Sequence, residues 1–227
     1  MRLALILLAC AAAAHAQDAP PDTTDLPPDT PTYDVRIIRA VYDVDHPVAS
    51  LWLHGVNETA YPVYYGAAPV HWAVTAALGG DLDAPLRLTL AEAGTIGLTF
   101  AVKNLVRRPR PYAALDEVDP RDRRHVGDDV FDPNSFPSGH TSTAFVIATS
   151  LSLSYPEWYV IAPSFAWAGS MGVARMWLGV HYPSDVLVGA ALGAGAATVV
   201  HFFLPDVFDG EADGGAATVP LRLVIPL

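Results

Sequence analysis

Three short stretches of the sequence carry side chains that could together hold a phosphate-like anion. The middle stretch begins at Pro137, which disfavours helix before it, and continues with Ser138, Gly139 and His140. This order predicts the first turn of a helix, where free N–H groups carry partial positive charge and favour anions. Gly139 lets the backbone approach a ligand, and His140 can move a proton near neutral pH. Alone the stretch is weak evidence, since a histidine after a glycine turn more often caps a helix or lies on the surface.

The first stretch places four cations at the end of a predicted helix, namely Lys103, Arg107, Arg108 and Arg110. Positive charge there is favourable against the helix dipole, so one interpretation is structural. The other is that Lys103 and Arg110 face a phosphate while Arg107 and Arg108 serve the fold. Guanidinium groups suit this task because they bind phosphate through paired hydrogen bonds.

The third stretch runs from Arg175 to Asp185 and contains a histidine just before a predicted helix. Asp185 in the first turn could hold one ring nitrogen of His181 and leave the other with its lone pair exposed. Alternatively, Asp185 is a first-turn acid that stabilises the helix. Arg175 lies in an apolar helix, and a buried arginine needs an anion, here either Asp185 or a ligand.

Read together, these residues fit one chemistry: cations and a helix start surround a tetrahedral anion, one histidine attacks it and another protonates the departing oxygen. The chain resembles the phosphatidic acid phosphatase type 2 / vanadium haloperoxidase superfamily. That family's pattern is Lys-x6-Arg-Pro, then Pro-Ser-Gly-His, then Ser-Arg-x5-His-x3-Asp. All three parts occur in order with the right internal spacing between Lys103 and Asp185. One departure is Ala174, which stands where the family has serine and is expected to weaken a supporting hydrogen bond without abolishing activity.

The resemblance implies a role for each matching residue. His181 would be the nucleophile, Asp185 would orient it, and His140 would be the general acid and then the general base. The phosphoryl oxygens would be held by five groups, namely Lys103, Arg110, Ser138, Gly139 and Arg175. No metal and no other cofactor is expected.

The implied function is a metal-independent phosphatase that acts on phosphomonoesters or diphosphates through a phosphohistidine intermediate. The expected substrate is lipid-linked, because the chain is unusually apolar. A phosphatase of soluble organic phosphates is one alternative. A vanadate-dependent haloperoxidase is another, since the same cradle would hold vanadate.

Composition limits the partners of the chain. A net charge of −11 argues against nucleic acid. The residues are 52% hydrophobic and only 16% charged, which favours a helical domain at or partly within a membrane. The single cysteine, Cys10, allows no disulfide within the chain. Nothing in the sequence indicates an oligomeric state.

The first residues resemble an export signal. Arg2 precedes an apolar run, and residues 14–16 have the small-x-small form of a cleavage site, so residues 1–16 are predicted to be a signal peptide. Alternatively, a lipoprotein signal ends before Cys10, which would carry the lipid. Both signals predict a periplasmic or cell-envelope protein. The lipoprotein signal would also give it a lipid anchor. Residues 17–33 are a Pro/Asp/Thr linker with almost no apolar side chains.

The predicted fold is an all-α bundle of about six core helices within a catalytic domain at residues 34–204. Apolar periodicity and proline positions predict helices from Asp34 to about Tyr42 and over Pro47–Val56, Ala67–Leu78, Asp83–Arg107, Ser138–Tyr155, Pro156–Gly179 and Pro183–Leu204. Residues 112–136 are predicted to be a long polar loop. Residues 205–227 form an acidic, glycine-rich tail whose end alternates like a strand.

Overall fold

The computed structural model describes residues 33–122, 134–204 and 206–208. Several predicted features lie outside these residues. They are the signal peptide with Cys10, the linker up to residue 32, His125 in the long loop and the strand-like end of the tail. Tyr33 was predicted to end the linker, but it is the first residue of a helix.

The described residues are helical, and they contain eight helices and no strand longer than one isolated bridge. The helices are α1 (Tyr33–Tyr42), α2 (Pro47–Glu58), α3 (Ala60–Leu78), α4 (Asp83–Val106), α5 (Pro111–Ala114), α6 (Gly139–Ser154), α7 (Trp158–Trp177) and α8 (Pro183–Phe203). This confirms the all-α prediction.

Helix α6 lies at the centre of the bundle and packs against α4, α7 and α8. Its small and β-branched residues, including Ala144, Val146 and Ala148, are fully buried. Two glycines of α8 let its backbone touch α6 directly. A Cβ atom on Gly193 would lie 2.1 Å from the carbonyl oxygen of Ser142, closer than atoms can approach.

Helix α3 starts seven positions before its predicted start at Ala67. Pro62 lies in its first turn, where the missing N–H would have no partner, so it does not interrupt the helix. Pro69 lies in the interior of α3, although it falls just after the predicted start at Ala67. Tyr61, Tyr64 and Tyr65 therefore belong to α3.

Side chains of helix α1 contact the segment that follows α5. Arg39 forms an ion pair with Glu117, and the Tyr42 hydroxyl donates to the carbonyl oxygen of Asp119 at 2.8 Å. Arg121 donates to the carbonyl oxygen of Tyr42 and lies over its ring. These bonds fix the chain downstream of the cation-rich end of α4.

Candidate active site

The cations at and just after the end of α4 differ in burial and in their hydrogen-bond partners. Arg107 ends the helix in the left-handed conformation, with φ of 53°, and its exposed side chain donates to the carbonyl oxygen of Asn104. Lys103 is buried, and its Nζ donates to the carbonyl oxygen of Asn134 at 2.7 Å. Arg110 is also buried, 3.5 Å from the carbonyl oxygen of Val180.

The start of α6 lies between these cations and α8. Ser138 is the N-cap of α6, and its hydroxyl accepts from the N–H of Thr141 at 3.4 Å. A Cβ atom on Gly139 would lie 3.8 Å from Lys103 Cε, so bare backbone faces the lysine. The Ser138 N–H donates to the carbonyl oxygen of Asp185 at 3.0 Å, which joins the starts of α6 and α8.

His140, in the first turn of α6, is held between two tyrosines of α3. The rings of Tyr61 and Tyr64 meet its imidazole edge to face, with centroids 5.6 and 5.7 Å away. The Tyr64 hydroxyl also donates to the carbonyl oxygen of His140 at 2.7 Å. These contacts limit the orientations open to the His140 ring.

His181 is fully buried just before α8. Its Nδ1 lies 3.5 Å from the Ser135 hydroxyl and 3.6 Å from Asp185 Oδ2. Burial lowers the pKa of His181 well below its ordinary value, and the positive charges of Arg110, Lys103 and Arg175 lower it further, while a backbone hydrogen bond to Ser135 opposes them. The imidazole is therefore neutral over a wide pH range.

Arg175, on α7, is the third cation that acts on His181. Its Nη1 donates to Asn57 Oδ1 at 2.7 Å. Asn57 is a buried residue of α2. The anion that the sequence analysis expects beside Arg175, either Asp185 or a ligand, stays a prediction.

Asp185 has no exposed surface. It makes the first-turn contact considered from the sequence, and its carboxylate also lies beside His181, where the proposed orienting role would need it. Its Oδ2 accepts the Tyr182 N–H at 2.7 Å, as a first-turn acid does, and it also accepts the Ser135 hydroxyl and faces His181. Its Oδ1 accepts a hydrogen bond from Arg108 at 2.8 Å.

The structure thus places the eight residues that the sequence nominated on adjoining segments of the bundle. The pKa of His181 is lowered by the positive charges of Lys103, Arg110 and Arg175. The adjoining starts of α6 and α8 carry the remaining residues, namely Ser138, Gly139, His140 and Asp185. Sequence reasoning missed Ser135 and Asn57 and assigned Arg108 to the fold alone. Ser135 and Asn57 carry no motif signal, since each meets its partner only through the tertiary fold.

Across the described residues, no three histidine, cysteine, aspartate or glutamate side chains form a group that could hold a metal ion. The candidate site is instead rich in cations, which suits an anion.

The comparisons with known proteins agree with this site. The PAP2 superfamily model matches residues 84–209. Decaprenylphosphoryl-5-phosphoribose phosphatase of Mycobacterium tuberculosis is 31% identical over 182 residues, which cover 75% of this chain and 90% of that protein.

Two solved structures are similar in fold. The crystal structure of Aquifex aeolicus LpxE superposes with a TM-score of 0.61 and 25% identity, covering 75% of this chain and 96% of that one. A transmembrane PAP2 type phosphatidylglycerolphosphate phosphatase from Bacillus subtilis superposes with a TM-score of 0.52 and 23% identity, covering 73% and 81%. The helical bundle, the three motifs and the family match together show that the chain belongs to the PAP2 superfamily.

Proposed function

We propose that the protein is a phosphatase that hydrolyses a lipid-linked phosphomonoester or diphosphate through a phosphohistidine at His181, without a metal ion. The observation that carries this proposal is a buried, neutral imidazole acted on by three buried cations from three separate segments. Such a cradle stabilises the charge on a transferring phosphoryl group, which is the main demand of this reaction.

In the first step, Nε2 of His181 attacks phosphorus and a P–N bond forms. The bond from phosphorus to the leaving oxygen breaks, and protonated His140 gives that oxygen its proton. Asp185 and Ser135 engage the Nδ1 side of the ring, so the lone pair of Nε2 is the one presented to substrate.

In the second step, neutral His140 removes a proton from water and the resulting oxygen attacks phosphorus. The P–N bond breaks, inorganic phosphate leaves, and both histidines return to their starting states. Lys103, Arg110 and Arg175 neutralise the phosphoryl oxygens throughout, joined by the Ser138 hydroxyl and the Gly139 N–H. Dividing one displacement into two lowers the highest barrier.

A lipid-linked substrate is supported by the surface of the bundle. Large apolar side chains are exposed on α4 and α8, among them Phe100, Leu105, Leu187 and Phe202. Helix α8 is the one helix in the described residues that is long and apolar enough to cross a membrane. Exposed apolar surface of this kind is typical of membrane contact. The export signal predicted from the sequence would place the site on the periplasmic side.

The direct test is phosphate release by purified protein, with histidine variants. We expect His181→Ala to abolish turnover and His140→Ala to lower kcat about 10²–10⁴-fold, the usual contribution of a general acid–base. His46→Ala is the matched control, because His46 is exposed and makes no side-chain cap bond. Radiolabelled phosphate should be trapped on wild-type protein and not on His181→Ala. Full activity in His181→Ala would overturn the mechanism.

The substrate class is tested with a panel. Decaprenylphosphoryl-5-phosphoribose, phosphatidic acid, phosphatidylglycerol phosphate and undecaprenyl diphosphate represent lipids, and p-nitrophenyl phosphate represents soluble esters. We expect a lipid to give the highest kcat/KM and activity to persist with a chelator. A preference for the soluble ester would contradict the lipid assignment, and halide oxidation with added vanadate would instead favour a haloperoxidase.

A further inference from the structure

A polar network outside the family motifs reaches Asp185 from its far side. Arg108 Nη1 donates to Asp185 Oδ1 at 2.8 Å and to the Ser184 hydroxyl at 2.7 Å. Its Nη2 donates to Asp34 Oδ2 at 2.8 Å. The guanidinium also lies over the Tyr182 ring, 3.9 Å from its centroid. Arg108 is therefore held by charge, hydrogen bonds and an aromatic face, and its side chain is about a quarter exposed.

Asp34 completes the network from α1, an element that precedes the family match at residues 84–209. Its Oδ1 accepts the Ser184 N–H at 3.0 Å, and its Oδ2 accepts the Ser184 hydroxyl at 2.5 Å. Ser184 lies in the first turn of α8, so Asp34 satisfies a free N–H of that helix and fixes its start. The same carboxylate faces Arg108, whose charge it opposes.

We propose that Arg108 and Asp34 are positioning residues that set how strongly the Asp185 carboxylate acts on His181. This rests on the proposed function, in which a neutral His181 attacks phosphorus. Asp185 divides its oxygens between Arg108 on one side and His181 with Ser135 on the other. Positive charge on Arg108 weakens the effect of Asp185 on the imidazole, and negative charge on Asp34 partly restores it.

Among the described residues, the positive charges of Lys103, Arg110 and Arg175 act on His181, and the Asp185 carboxylate of α8 lies beside it. Arg108, from the segment after α4, contacts Asp185, and Asp34 of α1 contacts Arg108. In this set only Asp185 and Asp34 are carboxylates. Neutralising Arg108 should therefore raise the pKa of the His181 imidazole, and neutralising Asp34 should lower it.

The test is the pH dependence of kcat/KM in two variants. Arg108→Gln removes a positive charge, so Asp185 holds a proton on His181 more strongly and the acid limb should move up by about half to one pH unit. Asp34→Asn removes a negative charge and keeps an oxygen for Ser184, so the limb should move down. Arg107→Gln is the control, because it removes the same charge from an exposed neighbour whose side chain donates to the carbonyl oxygen of Asn104.

A second readout needs no turnover. The ¹⁵N shifts of the His181 ring, assigned by comparison with His181→Gln, report its titration directly in each variant. The proposed function can then fail, through absence of phosphate release, while this inference still stands or falls on the ring titration. Opposite displacements for Arg108→Gln and Asp34→Asn support it. Displacements of one sign, or no larger than in Arg107→Gln, overturn it.

A conservative variant separates charge from geometry. Arg108→Lys keeps the positive charge but loses the fork that reaches Asp185, Ser184 and Asp34 together. We expect the acid limb near its wild-type position with kcat/KM lowered several-fold. An acid limb displaced as far as in Arg108→Gln would contradict the assignment of the shift to charge. Far-ultraviolet circular dichroism on each variant confirms that the fold is retained.

Discussion

In the proposed mechanism the imidazole of His181 attacks as a neutral ring. Burial and the charges of Arg110, Lys103 and Arg175 lower its pKa, so the neutral form persists as pH falls. The cations proposed to receive the phosphoryl group would thus also keep the attacking ring unprotonated, so that one arrangement of charge would serve both binding and attack.

The pH profile should reflect this lowered pKa. We expect the acid limb of kcat/KM to lie below pH 6.5, the ordinary value for histidine, because the neutral form is lost only below the depressed pKa. Repeating the profile with a second substrate whose phosphate ionises at another pH separates the enzyme's group from the substrate's. An acid limb above 6.5 in both profiles would contradict the assignment.

The amide of Asn57 has an equally specific role beside Arg175. It accepts the guanidinium N–H, and its own Nδ2 is buried with no hydrogen-bond partner among the described residues. A carboxylate of the same size would bond Arg175 more strongly, but it would oppose the charge needed for phosphate.

We therefore predict that Asn57→Asp raises KM about 10-fold or more, because each cation on phosphate contributes on the order of 1.5–3 kcal/mol through charged hydrogen bonds. Michaelis–Menten measurements on the best substrate of the panel check this. Asn104→Asp, on the exposed end of α4, is the control for an added negative charge. Unchanged KM in Asn57→Asp would show that Arg175 does not bind the phosphoryl group.

The sequence allowed the residues proposed to bind phosphate to be nominated, because they lie in short motifs with fixed spacing. It did not allow their supports to be found. Asn57 meets Arg175 across 118 positions of the chain, and Ser135 meets Asp185 across 50. One asparagine or serine among many has no local pattern, so only the packed helices select it.

At the scale of elements, the site depends on the close approach of α6 and α8. A Cβ atom on Gly189 would lie 2.6 Å from the carbonyl oxygen of Ser138, the N-cap of α6. The backbones therefore touch directly under the phosphate cradle. Any added side chain there must push the two helix starts apart.

We predict that Gly189→Ala lowers the free energy of unfolding by about 1–3 kcal/mol and reduces kcat/KM at least 10-fold, because overpacking displaces the α6 start. Gly195→Ala on the same helix is the control, since a Cβ atom there meets nothing within 4 Å. That variant should keep full activity and gain about 0.5–1 kcal/mol of stability. Thermal unfolding and phosphate release measure both effects. Equal behaviour of the two variants would refute the contact.

Element boundaries followed local chemistry where a clear signal existed. Pro109 and Pro111 stop α4 close to the predicted residue, and Ser138 caps α6 as expected. The start of α3 was misplaced because a proline in a first turn reads like a breaker in sequence. A proline ends a helix where its missing N–H would have been hydrogen-bonded, and it is tolerated in a first turn, where that N–H has no helical partner. Composition does not distinguish the two cases.

At the scale of the molecule, three buried cations from separate segments come together beside the His181 imidazole. Lys103, Arg110 and Arg175 are 6, 5 and 2% exposed, and like charges removed from water repel one another. The bundle holds them together because α4, α6, α7 and α8 pack tightly around the site. A bound phosphate would relieve this repulsion.

Inorganic phosphate or vanadate should therefore raise the Tm of the protein. A ligand at 100 times its Kd adds about 2.7 kcal/mol to the free energy of unfolding. Differential scanning fluorimetry at constant ionic strength, with chloride replacing the anion, checks this. Arg175→Met should lose most of the shift while Arg107→Gln keeps it. A shift equal in both variants would show that the anion binds elsewhere.

The distribution of these groups along the chain has a consequence for biosynthesis. Lys103 and Arg110 emerge from the ribosome early, His140 follows, and Arg175, His181 and Asp185 come last. A nascent fragment that stops before α8 lacks Asp185 and the helix whose start is joined to that of α6. In the proposed mechanism such a fragment has no group to orient His181, so a truncated product is expected to be inert rather than partly active.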